Sequence, residues 1–325
     1  MARVALLGAG WAGSVHAMAL AAVRGAHLNQ VLSRTEESAR RLVESGGASS
    51  ILAGTYERLD PRTDVVVVAT PAEHHLEALR AGLAVGAAVL VEKPLGVDLA
   101  EADEMIAAAA GADVLCGYAE NLLFAPSFLA LARHREKMGD LHRLHLTVHS
   151  DPPAWGHFTA PLPGGGVLHD LGAHPVALAL ALAGSEPRSV SAEIRSRRPD
   201  GLDDEVALTI RFASGLESTI DVSWRAEHAR WEVELASATS VGRWEVLPDD
   251  HLELDGDEVT PPAPEGNLPD ARLVSLGYVA QLQGFIDAVT GKGGSVCPLG
   301  FGREVARVTA AAYASAAADG ADVEI

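Results

Sequence analysis

The chain has 325 residues, with 25 Lys plus Arg against 44 Asp plus Glu, for a formal net charge of −19. Such a length normally builds two domains, and 48% hydrophobic against 21% charged residues excludes a disordered chain. The acidity speaks against nucleic acid or an anionic membrane as partner, because both are polyanions that call for basic patches. No apolar run reaches the ~18 residues of a membrane span. Two cysteines, Cys116 and Cys297, lie in no metal-ligand spacing and fit a reduced, cytoplasmic protein.

In chain order, a buried strand is predicted over 2–7, followed by Gly8-Ala9-Gly10-Trp11-Ala12-Gly13 and an Ala-rich helix to about residue 23. A strand over 27–32 and a helix over 36–43 come next. The run Asp64-Val65-Val66-Val67-Val68-Ala69 reads as a strand buried on both faces, as parallel sheets require. A helix over 73–84, a strand over 88–91, a helix over 100–110 and a strand over 113–116 continue the alternation. This pattern predicts an α/β fold, with a doubly wound parallel (Rossmann) sheet over 1–120. Beyond it, 121–325 reads as an α+β domain. Helices are predicted over 126–137, 168–182, 271–290 and 301–317. Extended segments fall at 141–149, 189–195, 205–212, 217–224, 231–235 and 241–246, which makes a large, mostly antiparallel sheet. The acidic stretch 248–265 reads as a solvated hairpin and loop.

Gly8-x-Gly10-x-x-Gly13 directly after a strand has the context of a phosphate-binding turn. The first glycine allows the turn, the second lets backbone approach a pyrophosphate, and the third brings helix against strand. The alternative is that the glycines serve packing alone. The second strand ends in Leu32-Ser33-Arg34-Thr35. A hydroxyl and an Arg suit a ribose 2′-phosphate better than the carboxylate usual for NAD, so NADP is preferred and NAD remains possible through Glu36 or Glu37. Ser33 also reads as a helix cap with Glu36.

Lys93, Lys137 and Lys292 are the only lysines. Lys93, in Val91-Glu92-Lys93-Pro94, ends a strand at the carboxyl edge of the sheet, where ligands of open α/β folds bind. There it reads either as a donor to a substrate oxygen or as a surface lysine. Gly164-Gly165-Gly166-Val167-Leu168-His169-Asp170-Leu171-Gly172-Ala173-His174 sets Asp170 and His174 four apart on a predicted helix, hence on one face. An imidazole near its ordinary pKa suits proton transfer from an alcohol as hydride leaves carbon, and Asp170 suits orienting that ring or a second hydroxyl. The glycines are expected to let the chain pass close to a ligand. The plain reading is an N-terminal helix carboxylate beside a satisfied histidine. Of His142, His145 and His149, only the last two share a strand face, and no thiolate or nearby carboxylate completes a site with them, so no metal is expected.

At this point the chain resembles the family of glucose–fructose oxidoreductase, inositol dehydrogenase and the rhizopine-catabolism oxidoreductases. The resemblance rests on the Gly8–Gly13 turn, Ala69-Thr70-Pro71 with His75, Glu92-Lys93-Pro94, Glu120-Asn121 with Phe124-Ala125-Pro126, and Gly164-Gly165-Gly166 with Asp170 and His174. It implies an NAD(P)-dependent oxidoreductase acting on a sugar, ketosugar, polyol or cyclitol. Lys93, Asp170 and His174 would stand at the catalytic positions. Gly8, Gly10, Trp11, Ala12, Gly13, Ser33, Arg34, Thr70, Pro71, His75, Glu92 and Lys93 would bind cofactor. Asn121, Trp155 and His157 would join Lys93, Asp170 and His174 around substrate, although Trp155 equally suits packing under its own loop. A homodimer or homotetramer through the C-terminal sheet is implied as well. Ala87-Ala88 departs from the Lys-His found in many members. The other readings carried by the fold are an NAD(P)-assisted glycoside hydrolase and a non-catalytic nucleotide-sensing regulator.

Overall fold

A computed structural model describes residues 1–46, 51–53, 56–154, 158–262 and 270–325. The chain forms two compact units, Met1–Phe124 with Pro264–Arg303, and Ala125–Ala263 with Glu304–Ile325. In the first unit, β1 (Ala2–Leu7), α1 (Trp11–Leu20), β2 (Ala26–Ser33), α2 (Glu36–Gly46), β3 (Ile51–Ala53), β4 (Val65–Val68), α3 (His75–Ala84), β5 (Ala88–Glu92), α4 (Leu99–Ala110) and β6 (Cys116–Ala119) alternate. The six strands are ordered β3-β2-β1-β4-β5-β6, and every neighbouring pair is parallel. Every residue of β4 and β5 is buried, which is why these strands read as unbroken apolar runs. Strand order reverses between β1 and β4, the switch point at which such sheets open a crevice.

Two details differ from the sequence reading. The short β3 carries no signal of its own and forms by pairing with Val31–Ser33 of β2. The strand expected over 113–116 begins only at Cys116, where the chain comes level with Val89.

In the second unit, α5 (Pro126–Arg135), β7 (Leu141–His149), α6 (Val167–Asp170), α7 (Ala173–Ala183), β8 (Pro187–Arg195), β9 (Glu205–Phe212), β10 (Glu217–Ser223), β11 (Arg230–Ser237), β12 (Val241–Leu247), β13 (His251–Leu254) and β14 (Asp257–Glu258) follow. The helices α8 (Arg272–Ser275) and α9 (Tyr278–Val289) belong to the first unit, and α10 (Leu299–Ala317) leads to β15 (Val323–Glu324). The large sheet has nine strands, in the order β14-β13-β12-β11-β7-β10-β9-β8-β15. Its pairs are antiparallel except for β7 with β10. Helix α7 packs on β7 and β10, and α5 on β12 and β13. Alternate residues of the strands also carry an ion-pair ladder, with Arg143 2.7 Å from Glu234 and Arg243 3.0 Å from Glu232.

A single boundary near residue 120 does not describe this path, because 264–303 return to the first unit. There Leu282, Phe285 and Ile286 join Val15 and Leu20 of α1 in one core. Nor is the helix expected over 168–182 continuous. Pro175 has no N–H to bond back toward Leu171, so it is tolerated only in a first turn, and a new helix starts at Ala173. Asp170 therefore closes one short helix and His174 lies in the first turn of the next. Among the described residues, no helix is long and apolar enough to cross a membrane.

Candidate active site

The Gly8–Gly13 turn follows β1 at the switch point. Gly8 has φ +103, and a Cβ on it would lie 2.6 Å from the Ala69 carbonyl carbon. A Cβ on Gly13 would lie 3.0 Å from the Gly8 carbonyl carbon, so these two glycines hold turn, helix and strand together. Gly10 differs, since a Cβ there meets nothing within 4 Å. The first rung of α1 runs from Ser14 N–H to the Gly10 carbonyl at 3.0 Å, ahead of which lie the Ala12 and Gly13 amides. The first turn carries no acidic side chain. An open backbone cradle at a helix N-terminus fits a dinucleotide pyrophosphate.

At the end of β2, Ser33 is half-buried and Arg34 exposed. The cap of α2 is Thr35, whose Oγ1 accepts the Ser38 amide at 3.3 Å. The expectation that Ser33 caps with Glu36 is thereby corrected, and Glu36 instead pairs with Arg40 at 2.7 Å. Arg34 makes no ion pair among the described residues.

Thr70, Pro71 and His75 sit beyond β4, but His75 is fully buried. Its Nε2 faces the Thr70 carbonyl at 2.9 Å and its Nδ1 the Pro94 carbonyl at 3.0 Å. It therefore ties the loop after β4 to the loop after β5. Burial pulls its pKa below the usual histidine range, against the opposing pull of the carbonyls it faces.

Glu92 is likewise buried. One carboxylate oxygen lies 2.6 Å from His16 Nε2, and the other accepts the Lys93 amide at 3.0 Å. Burial pushes this carboxyl up, yet the hydrogen bond and charge of His16, with help from Lys93, prevail and hold it below the ordinary range. Lys93 itself is half-buried, immediately beyond β5. His16 was not singled out from the sequence; its only signal is its place three residues after Gly13. Asn121 is buried, and its side-chain nitrogen donates to the Leu276 carbonyl at 2.7 Å. That bond secures the junction of α8 and α9, where Gly277 turns with φ +85.

In the second unit, Gly165 and Gly166 do not stand open as expected. A Cβ on Gly166 would lie 2.6 Å from Asp203 Cγ, and one on Gly165 3.0 Å from the Leu162 carbonyl oxygen. Asp203 accepts the Leu168 amide at 2.9 Å and the Tyr313 hydroxyl at 3.1 Å, and the Tyr313 ring stacks on His169 at 5.2 Å. This cluster fixes the start of α6, the helix that ends in Asp170. Asp170 is buried and accepts the Trp224 indole N–H at 3.2 Å. His174, also buried, has the Trp231 ring beside it at 5.3 Å. Trp155 and His157 lie outside the described residues. Nothing local in the sequence singles out Asp203, Tyr313, Trp224 or Trp231, since each meets its partner only through the sheet and α10.

Residues 2–120 match the oxidoreductase family with an NAD-binding Rossmann fold, and 132–256 match the GFO/IDH/MocA C-terminal domain. The chain belongs to the GFO/IDH/MocA oxidoreductase family. It is an NAD-binding oxidoreductase. Myo-inositol 2-dehydrogenase of Thermotoga maritima is 28% identical over 233 residues, 69% of each protein. Inositol 2-dehydrogenase of Rhizobium meliloti is 28% identical over 312 residues, covering 92% of this chain and 91% of that one. Among solved structures, GenD2 from gentamicin A biosynthesis, in complex with NAD, superposes with a TM-score of 0.85 at 29% identity. That likeness covers 100% of this chain and 96% of GenD2. Within this family frame, the cradle at Gly10 and the Lys93 loop sit at the carboxyl edge of one parallel sheet.

Proposed function

We propose that this member of the family prefers NADP and transfers a hydride between nicotinamide and a secondary alcohol or ketone of a sugar or cyclitol. The observation that carries the reading is the first unit's carboxyl edge, where an anion cradle follows β1 and a lysine follows β5. Support for the substrate class comes from the inositol dehydrogenases among the relatives. Support for NADP comes from exposed Arg34, whose planar cation suits a 2′-phosphate.

Gly8, Gly10, Trp11, Ala12 and Gly13 would hold the pyrophosphate, with Ser33 and Arg34 at the ribose. When bound, the dinucleotide supplies the hydride acceptor or donor. Lys93 Nζ donates to the substrate oxygen and steadies charge developing on it. The His174 imidazole takes the hydroxyl proton in oxidation and returns it in reduction. Asp170, its carboxylate fixed by Trp224, orients a neighbouring hydroxyl or the imidazole. Glu92 and His75 hold the Lys93 loop, and Asn121 holds the α8–α9 junction. The protein works as a cytoplasmic homodimer or homotetramer formed through the nine-stranded sheet, a state that light scattering on an eluting column measures directly.

The test is Lys93→Met. Turnover of NADP with a panel of polyols and cyclitols should fall by about 10²–10³-fold, while cofactor affinity, read by NADPH fluorescence, stays within about twofold. Full activity in that variant would sink the mechanism.

A further inference from the structure

We infer that His16 is a positioning residue for Lys93, acting through Glu92, so that the helix receiving the cofactor phosphates also sets the lysine loop. The inference rests on the role proposed above for Lys93. His16 is 2% exposed and lies in α1, five residues beyond Trp11 and so roughly 7–8 Å along the axis from the phosphate end. Its Nε2 is 2.6 Å from Glu92 Oε1, a short contact of the charge-assisted kind. The second oxygen of the same carboxylate accepts the Lys93 amide at 3.0 Å. One buried carboxylate thus joins a side chain of the cofactor helix to the main chain of the residue that meets substrate.

The ring also packs against an aromatic neighbour. Tyr278 of α9 meets it edge-on, with centroids 6.0 Å apart and planes at 88°. His16 therefore has one orientation in which its Nε2 reaches Glu92. Glu92, 7% exposed, has no solvent to turn to when that donor is lost, so its carboxylate must shift, and the Lys93 amide shifts with it. A histidine that merely filled space would be replaceable by an apolar residue of similar volume. A positioning histidine is replaceable only by a side chain presenting N–H at the same reach. Glutamine, whose side-chain nitrogen stands at the Nε2 position, meets that requirement.

Because the chain has only Lys93, Lys137 and Lys292, each lysine can be read individually. The experiment is reductive methylation of the full-length protein with ¹³C-formaldehyde, with the Lys93 signal assigned by Lys93→Arg. In His16→Leu the Lys93 signal should move while those of Lys137 and Lys292 stay in place. The same variant should lose about tenfold in kcat, with cofactor affinity by NADPH fluorescence unchanged within about twofold. His16→Gln should return both the signal and most of kcat. If His16→Leu does not fold, Glu92→Asp, which withdraws the carboxylate by one methylene, should move the same signal. An unmoved Lys93 signal, or equal behaviour of the Leu and Gln variants, overturns the inference. Failure of the Lys93 mechanism shows separately, as turnover surviving Lys93→Met, and leaves the signal readable.

Discussion

The carboxylate of Asp203 occupies the space in which a side chain on Gly166 would begin, its Cγ 2.6 Å from that Cβ position. Gly166 also has φ +99, a conformation that costs other residues about 1–3 kcal/mol. Gly166→Ala thus combines backbone strain with displacement of the group that anchors α6. Gly201, with φ +79 and open space around its Cβ position, serves as the control for strain alone. Gly166→Ala should lower Tm well beyond Gly201→Ala, by at least about 4 °C more. Equal losses in thermal unfolding would show that Asp203 gives way freely.

That pair also marks where reading the sequence stops. Five of the six parallel strands are legible because buried parallel strands are apolar runs separated by helical periods, and the phosphate turn because its glycines follow a strand directly; β3 is defined only by its pairing with β2. The second half is legible as strands and for Asp170 and His174, but not for the side chains packed around those two. The glycines before Asp170 look alike in sequence, yet Gly166 is required by a carboxylate 37 positions later. Asp170 and His174 keep a helical spacing, yet they fall in two helices separated by Leu171 and Gly172 rather than in the continuous one that the spacing suggests. Trp224 and Trp231 reach Asp170 and His174 by strand register, and register is not written locally. His16 carries no local signal of its role, because its partner lies 76 residues away.

Arg34 stands exposed after β2 with no ion pair among the described residues, available to a 2′-phosphate. Arg34→Ala should weaken NADP binding about tenfold, roughly 1.4 kcal/mol, and leave NAD binding within about twofold. Fluorescence titration with NADPH and NADH decides it. Equal weakening of both would assign Arg34 to the shared part of the dinucleotide and remove the NADP preference.

Trp224 donates to Asp170 at 3.2 Å, with both residues buried. Trp224→Phe keeps most of the packing and deletes one donor to the carboxylate. Removing a partner from a buried charged group costs about 1–3 kcal/mol, so urea unfolding should show a loss of that size. With Asp170 held by one donor fewer, kcat should fall about tenfold and the pH–rate profile should shift. A variant that loses stability but keeps kcat and the pH profile would leave Asp170 with a purely structural duty.

Glu92 gives a prediction with a fixed sign. Burial raises its pKa, but His16 and Lys93 lower it further, so the folded value lies below the ordinary 4.5. The unfolded chain then binds the proton more tightly than the folded one. Stability from this carboxylate is present above about pH 4.5 and drains away as pH falls through the lower folded value. Glu92→Gln removes that contribution while keeping the side chain's shape. The variant should be less stable than the parent by about 1–3 kcal/mol at pH 7, and the gap should close as pH drops below about 4.5. Asp60, held down to about 2 by Arg62, and Glu232, held low by Arg230 and Arg243, drain stability in the same direction in both proteins. They cancel in the difference, which leaves the Glu92–His16 pair. Urea unfolding of the two proteins at pH 7, 5 and 4 reads it. A gap that holds constant or widens toward acid would mean that the carboxylate is not the charged partner of His16.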